Sequence, residues 1–405
     1  LNNKITSITD QPILHVKSDL LEAEKYANAL SSFILESDTP LTIGMQGEWG
    51  TGKTSLMYMI KEKLDSFSEE NYAIATSWVN TWEYSMFKGV DQTTPAVLKG
   101  MLEKLKESCG DNWTLTDDVE NKIRKVGSFL GNVANQIVSS QTGVDVKNAV
   151  GAQSGELLAD IAQIKADIKD VISALLSDDK NPYKKVVFFI DDLDRINPKD
   201  AVEVLESLKN IFDIHSCIFI LAIDYEVVVK GLEDKFGKKT NENEREFRSF
   251  FDKIIQVPFS MPTGAYNIEN FLDKKLHDLG IIIDKDILPK YVKVVSNTVG
   301  FNPRSLKRYL NTFSLLRRIS EVSDEGEIDR DDDFVLFNLI GIQISYPIVF
   351  RLFNQFPMYL VWNDTVAAKL ELGTIANLKK QSENFKEHAD EDWETILFGI
   401  AQKDS

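Results

Sequence analysis

The segment 47–54 constrains this chain more than any other feature, because it matches the phosphate-binding pattern G-x-x-x-x-G-K-[ST] at every defined position. An apolar run, residues 41–45, precedes it, and a helical pattern, residues 55–64, follows it. This is the strand, loop and helix context that the motif requires. A glycine-rich turn carrying a lysine by chance would not explain those flanks. We therefore predict a nucleotide-binding loop made of Gly47, Glu48, Trp49, Gly50, Thr51, Gly52, Lys53, Thr54 and Ser55.

The residue types of this loop suit phosphate chemistry. Glycines let the backbone curl so that its N–H groups converge on one point. The helix that follows directs the positive end of its dipole to the same place. Lys53 adds a full charge that can reach the β- and γ-phosphates, and the Thr54 hydroxyl can ligate Mg²⁺, which keeps most of its waters.

A second strand pattern ends in acidic residues. Residues 186–190 are apolar throughout, as burial on both faces of a parallel sheet demands, and Asp191 and Asp192 follow directly. In P-loop NTPases one acid at this point binds the Mg²⁺ water shell, and a second can orient the attacking water. We predict these roles for Asp191 and Asp192, with a plain turn signal as the alternative.

Another apolar strand pattern, residues 217–223, ends in Asp224. Ligands of open α/β sheets bind at the carboxyl ends of the strands, so we expect Asp224 to join Asp191 and Asp192 near the phosphates. Asp224 is therefore a further catalytic candidate.

Composition limits the partners and the compartment. The 405 residues are 43% hydrophobic and suffice for two or three domains. The net charge of −17 argues against nucleic acid as a partner, since the phosphate backbone repels an acidic surface. Two cysteines without metal-ligand spacing, and no visible signal peptide, predict a reducing cytoplasm. The longest apolar run, 334–353, is interrupted by polar residues and a proline, and predicts a buried helix instead of a membrane span.

A long insert separates the second strand pattern, residues 72–82, from the acidic strand. Residues 110–180 carry no strand signal, and aliphatic residues near their end alternate in steps of four and three. That seam consists of Leu157, Ile161, Ile164, Ile168, Val171 and Leu175. It either packs inside its own insert, against residues 123–138, or mediates self-association.

Beyond residue 265 the pattern is helical only. Asn302 and Pro303 open a helix that is the most basic stretch of the chain and begins with Arg304. Arg304 either contacts a phosphate or belongs to a solvated or partner-facing basic surface. An acidic linker, 321–333, leads into a further helical pattern with no chemistry that we can assign.

Several segments, in this order, resemble the KAP family of P-loop NTPases. They are the tryptophan-containing P-loop, the Asn-x-Trp segment 80–84, the DDLDR motif 191–195, the last-strand signature 251–259 and the Asn-Pro-Arg helix start 302–304. The resemblance covers roughly residues 10–320. The P-loop alone is common to many families, whereas DDLDR and Asn-Pro-Arg at these places make the match more specific.

The resemblance implies an α/β fold of the ASCE type, with a parallel sheet of order 5-1-4-3-2. It divides the NTPase core into residues 1–84 and 181–264, around a helical insert, 85–180. A helical lid, 265–320, and a C-terminal helical module, 321–405, follow. Many relatives carry membrane helices between the P-loop and the acidic strand, but this insert is polar, so we expect no span.

The resemblance also implies ATP as the nucleotide, with Mg²⁺ held by Thr54 and, through water, Asp191. We predict an ATPase that acts as a switch or motor, in which Asp192 polarises water and Arg195 or Arg304 stabilises the charge on the γ-phosphate, in cis or in trans. The rival hypothesis is a nucleotide-gated scaffold with little turnover. A homo-oligomer through the insert or lid, and an unknown protein effector, are the expected partners. Some bacterial relatives resemble phage-exclusion proteins, which makes antiviral defence a hypothesis.

Overall fold

The computed structural model describes residues 7–67, 72–85, 93–109, 166, 168–177, 183–209, 211, 213–323, 330–355 and 357. Backbone contacts divide the chain into two compact units. The first, which we call the sheet unit, comprises residues 12–19 and 23–261. The second, which we call the helical unit, takes the described residues of 1–11, 20–22 and 262–405.

The sheet unit is organised around five described strands: β1 (Leu41–Gln46), β2 (Ala73–Asn80), β3 (Tyr183–Asp191), β4 (Cys217–Ile223) and β5 (Val257–Ser260). Their order in the sheet is β2-β3-β4-β1-β5, and every neighbouring pair is parallel. This confirms the predicted order 5-1-4-3-2. Within the last-strand signature, 251–259, the strand itself begins only at Val257, because the N–H groups of Ile254 and Ile255 donate to the carbonyl of Phe251 in the turn after the preceding helix.

Helices flank these strands: α1 (Glu24–Glu36), α2 (Lys53–Ser66), α3 (Thr81–Ser85), α4 (Thr93–Cys109), α5 (168–177), α6 (Pro198–Lys209), α7 (Tyr225–Phe236) and α8 (Glu244–Asp252). The sequence also predicts a helix that begins at Leu20 with Asp19 as its cap, but α1 begins one turn later, at Glu24. Glu22 has a left-handed φ of 57°, which stops a helix there, and the Asp19 carboxylate instead accepts a 2.8 Å hydrogen bond from the N–H of Glu24.

The core of the sheet unit holds the loops at the strand ends in place. Every residue of β4 is buried, as are those of β3 from Val186 onward. The rings of Phe188 and Phe219 stack across these two strands, with centroids 5.3 Å apart. Cys217 is a buried free thiol, and burial raises its pKa to about 12. The carboxyl ends of β3 and β4 therefore emerge from a closely packed core.

The described part of the insert seam is covered within the chain. Ile168, Val171 and Leu175 are fully buried and belong to the same hydrophobic cluster as Val97 and Met101 of α4. Leu157, Ile161, Ile164 and their expected cover, 123–138, lie outside the described residues. Packing between that cover and the seam stays a prediction, as does self-association.

The helical unit contains α9 (Ile268–Asp278), α10 (Leu288–Ser296), α11 (Pro303–Ser323), α12 (Arg330–Ser345) and α13 (Pro347–Gln355). The rings of Tyr291, Tyr309 and Phe313 all pack against Phe337, with centroids 4.6–5.2 Å apart. The apolar run 334–353 is two helices instead of one, since Pro347 lacks the N–H needed to continue α12. Among the described residues no helix has the length and apolar character needed to cross a membrane.

Candidate functional site

The predicted phosphate-binding loop connects β1 to α2. Gly50 and Gly52 have φ values of 90° and 98°, a left-handed conformation that glycine adopts without strain. The N–H of Gly47 donates a 3.2 Å hydrogen bond to the carbonyl of Ile223 at the end of β4. The loop is therefore tied to the strand that precedes Asp224, and α2 begins at Lys53 with its free N–H groups next to the glycines.

The ammonium group of Lys53 is buried and fully hydrogen-bonded. Its side chain is 6% exposed, and Nζ donates to the carbonyl of Gly47 at 2.7 Å, to the carbonyl of Glu48 at 3.2 Å and to Oδ2 of Asp194 at 3.0 Å. The Asp194 side chain is 7% exposed, so this is a buried ion pair. The pairing of Asp194 with Lys53 was not predicted from the sequence.

Asp191 and Thr54 meet at the carboxyl end of β3. The Thr54 hydroxyl is hydrogen-bonded to the buried Asp191 carboxylate, and Oδ1 of Asp191 also accepts a 2.8 Å bond from the N–H of Asp192. Burial, reinforced by the neighbouring Asp192 carboxylate, raises the pKa of Asp191 to about 6. The two residues predicted to hold Mg²⁺ are therefore in contact.

These oxygen atoms fit Mg²⁺, which proteins usually hold through one or two side-chain ligands, water and the substrate's phosphates. Among the residues that the structure describes, no group of three or more His, Cys, Asp or Glu side chains is arranged to enclose a metal. The pair of Thr54 and Asp191 thus suits an ion bound together with a nucleotide, and not a permanent all-protein site.

Asp192 is held on both carboxylate oxygens. Its Oδ2 accepts a 2.8 Å hydrogen bond from Nδ2 of Asn80, and its Oδ1 lies 2.6 Å from Nε of Arg195. Burial raises the pKa of Asp192, and the Arg195 charge and the Asn80 amide oppose that rise. Its φ of 59° is left-handed, a conformation that Asp and Asn tolerate better than most residues.

Asn80 links this carboxylate to the short helix after β2. Its Oδ1 accepts a 3.0 Å hydrogen bond from the N–H of Trp82, while its Nδ2 donates to the Asp192 carboxylate. The Arg195 guanidinium lies 5.5 Å from the centroid of the Trp82 ring. Asn80, Trp82, Asp192 and Arg195 therefore form a closed cluster, which we call the Asn80 cluster. In the sequence, only the family resemblance singles out Asn80 and Trp82. A polar residue at the end of the strand next to β3 is a further signal that could have identified Asn80.

The other two catalytic candidates have structural partners of their own. Oδ1 of Asp224 accepts the N–H of Glu226 at 3.1 Å and so caps α7. In the helical unit, Nε of Arg304 donates to Oδ2 of Asp10 at 2.6 Å. Asp224 is thus a helix cap, and Arg304 belongs to an ion pair within the helical unit.

Two further residues of the predicted loop, Trp49 and Ser55, have different surroundings. The Trp49 side chain is 55% exposed, although it belongs to the loop itself. Ser55, in the first turn of α2, accepts a 3.0 Å hydrogen bond on Oγ from the N–H of Ile13. This hydrogen bond holds the N-terminal segment around Ile13 next to the loop, within the sheet unit.

Comparison with known proteins identifies relatives of this chain. The sequence model of the KAP family P-loop domain matches residues 23–320. The Phage T7 exclusion protein of Escherichia coli (strain K12) is 21% identical over 264 residues, which are 61% of this chain and 33% of that protein. The alignment thus spans about a third of the relative. The structure of the Aeropyrum pernix ORC2 protein in ADPNP–ADP complexes matches with a TM-score of 0.40 and 12% identity, over 95% of this chain and 86% of that one.

Proposed function

Because the chain belongs to the KAP family of P-loop NTPases, we propose that it binds ATP with Mg²⁺ and hydrolyses it as a molecular switch or motor. One observation carries the proposal. The two reactive side chains of the P-loop are each bonded to an acid of the turn after β3, Thr54 to Asp191 and Lys53 to Asp194. That turn also carries Asp192, so the candidate phosphate-binding, metal-binding and water-orienting residues belong to one unit, which supports the proposal.

Each residue has a defined part in the proposed reaction. The loop N–H groups, the amino end of α2 and Lys53 bind the phosphates. Thr54 and, through water, Asp191 would hold Mg²⁺, which supplies neutralising charge to the phosphate oxygens. Asp192 orients the attacking water and polarises it. Most of the rate enhancement in such reactions comes from positioning and electrostatics, which this arrangement of fixed charges suits.

Charge developing on the γ-phosphate needs a further cation. We propose Arg195 or Arg304 for this part, a contribution worth about 10³–10⁵ in rate in other P-loop NTPases. Arg195 pairs with Asp192 through Nε, which leaves its terminal nitrogens available for a second acceptor. Asp224, at the end of β4, is proposed as an auxiliary acid near the loop.

The rival function is a nucleotide-gated scaffold with little turnover. It is favoured by the state of Asp192, since both of its oxygens are already bonded, to Asn80 and to Arg195. A carboxylate held in this way orients water only through its remaining lone pairs. Hydrolysis would then require a partner that breaks the contacts of Asp192 within the Asn80 cluster.

Release of phosphate over many turnovers, measured with and without Mg²⁺, separates the two functions. The ATPase predicts steady release that stops when Mg²⁺ is removed. The scaffold predicts ATP binding of the same affinity with release no faster than in buffer. If ATP binds in neither condition, both functions are wrong.

The proposed assembly and location go further. We propose that the insert, 85–180, or the lid, 265–320, mediates a homo-oligomer and that a protein effector binds the chain, in the cytoplasm; the C-terminal module, 321–405, is proposed as a separate helical part. The support for this location is the sequence, which has two cysteines and no visible signal peptide. Sedimentation of the full chain with and without ATP tests whether assembly depends on the nucleotide.

Antiviral defence is the proposed biological role, and its support is the printed name of the T7 exclusion relative. The plating efficiency of phage on cells that express the chain tests it, with cells expressing Lys53→Ala as the matched control. Equal plating on both would leave the proposed ATPase without this role.

A further inference from the structure

Every hydrogen-bond donor of the Lys53 ammonium is already in use. An ammonium group carries three N–H donors, and those of Lys53 reach Gly47, Glu48 and Asp194. The side chain is 6% exposed, so bulk water cannot take the place of a lost partner. An incoming phosphate oxygen can therefore bind Lys53 only if one of these acceptors is released or shared.

The three acceptors differ in how easily they can release the Lys53 ammonium. Two are backbone carbonyls of the loop itself, and their positions follow from the glycine geometry that shapes the loop. The third is a side-chain carboxylate from the turn after β3. It can rotate about its own side-chain torsions without moving the loop. It is also the only anion of the three, and hence the one that a phosphate resembles in charge.

We infer that the Asp194 carboxylate competes with nucleotide phosphate for Lys53, and that this competition lowers the affinity for nucleotides carrying a β-phosphate while it leaves the affinity for monophosphates unchanged. The inference rests on the proposed nucleotide binding. The lysine of a P-loop reaches the β- and γ-phosphates, so a diphosphate or triphosphate replaces the anion that Lys53 gives up. A monophosphate offers Lys53 no such replacement and leaves the ion pair intact.

Asp194→Asn tests the inference, because asparagine keeps the size of the side chain and its acceptor oxygen but removes the charge. We expect the affinity for ADP, measured by calorimetry without Mg²⁺, to rise about tenfold, or about 1.4 kcal/mol. The affinity for AMP should change by less than about twofold. Without nucleotide the variant should melt at a lower temperature than the original chain, and saturating ADP should give it the larger upward shift.

Asp234→Asn is the matched control, since it removes the same charge from an exposed pair with Lys199. Its affinity for ADP should stay unchanged. An equal gain in this control would assign the effect to net charge and overturn the inference. So would an unchanged or weaker affinity of Asp194→Asn for ADP, or an equal gain for AMP.

Two further outcomes are also decisive. If Asp194→Asn folds only when ADP is present, the inference is supported, because phosphate then replaces the missing anion. If the variant fails to fold even with saturating ADP, Asp194 is structural and the inference is wrong. Binding of ADP by the original chain separates this inference from the proposed function. If the original chain does not bind ADP, both are wrong. If it does, the measurements on Asp194→Asn test the inference alone.

Discussion

The side-chain amide of Asn80 donates a 2.8 Å hydrogen bond to the carboxylate of Asp192, and so joins the carboxyl end of β2 to the turn after β3. The same asparagine caps α3 through its other side-chain atom. One residue therefore holds both the candidate water-orienting group and the start of a surface helix. Movement of α3 reaches Asp192 through a single side chain.

Asn80→Ala should lower kcat about tenfold with little change in KM, because Asp192 loses a partner while the phosphate contacts remain. Asn267→Ala is a close control: Oδ1 of Asn267 caps α9 and its Nδ2 donates to the carboxylate of Glu22, in the helical unit. Each variant should lose about 1 kcal/mol of stability with its cap. Equal loss of kcat in both variants would mean that Asn80 acts only through stability.

Lys53→Ala should abolish nucleotide binding in calorimetry. It should also destabilise the fold by about 3–5 kcal/mol in urea unfolding, since Asp194 is left buried without its cation. Adding Asp194→Asn to Lys53→Ala should recover part of that stability and none of the binding. Unchanged nucleotide affinity in Lys53→Ala would refute the P-loop assignment.

Asp192→Asn should leave ATP binding intact and stop turnover. Asparagine is nearly isosteric and tolerates the left-handed φ of 59°, so the backbone should not respond. The loss is confined to the charge that polarises water and pairs with Arg195. Single-turnover hydrolysis at the original rate would make Asp192 structural and turn attention to Asp194 or Asp224.

Arg304→Ala should slow hydrolysis while ATP affinity stays the same, if Arg304 serves the γ-phosphate. The Asp10→Ala variant separates this role from local stability, because Asp10 is the carboxylate to which Nε of Arg304 donates. A catalytic role predicts that Asp10→Ala keeps most of the hydrolysis rate. Equal loss in both variants points to the ion pair, not to the phosphate.

Ile168→Asp should reduce stability at every protein concentration, because Ile168 is fully buried beside α4 and an aspartate there has no partner in the apolar cluster. Ile164→Asp, at a position outside the described residues, examines the rest of the seam. Loss of assembly in sedimentation with unchanged stability would instead favour self-association.

The sequence predicted the parts of the site whose signals are local. The loop from Gly47 to Thr54 is a contiguous motif between a strand and a helix, and residues 217–223 form β4 with the expected bounds. Burial on both faces makes the central strands apolar, so their positions are visible without knowledge of the fold. The strand order came from the family resemblance and is confirmed by the sheet.

The pairings between distant residues could not be predicted in the same way. Asp191 was matched with Thr54 as a predicted Mg²⁺ ligand, but Asp192 and Asp194 are chemically alike, and the sequence cannot say which of them meets Asn80 or Lys53. That choice depends on the register of β2 against β3 and on the left-handed backbone at Asp192. The start of α1 was missed for a related reason, since no residue type announces the positive φ of Glu22.

The position of β1 in the sheet has a consequence for how the chain folds. Leu41 pairs with Ile218 and Ile43 with Val257, so the strand that carries the phosphate-binding loop gains its neighbours only when the last strands are present. Such distant pairings slow folding. Their entropic cost, however, grows only with the logarithm of the loop, by about 0.6 kcal/mol for each doubling of its length. Residues added between α4 and α5 during evolution should therefore cost the sheet, and the site at its edge, little stability.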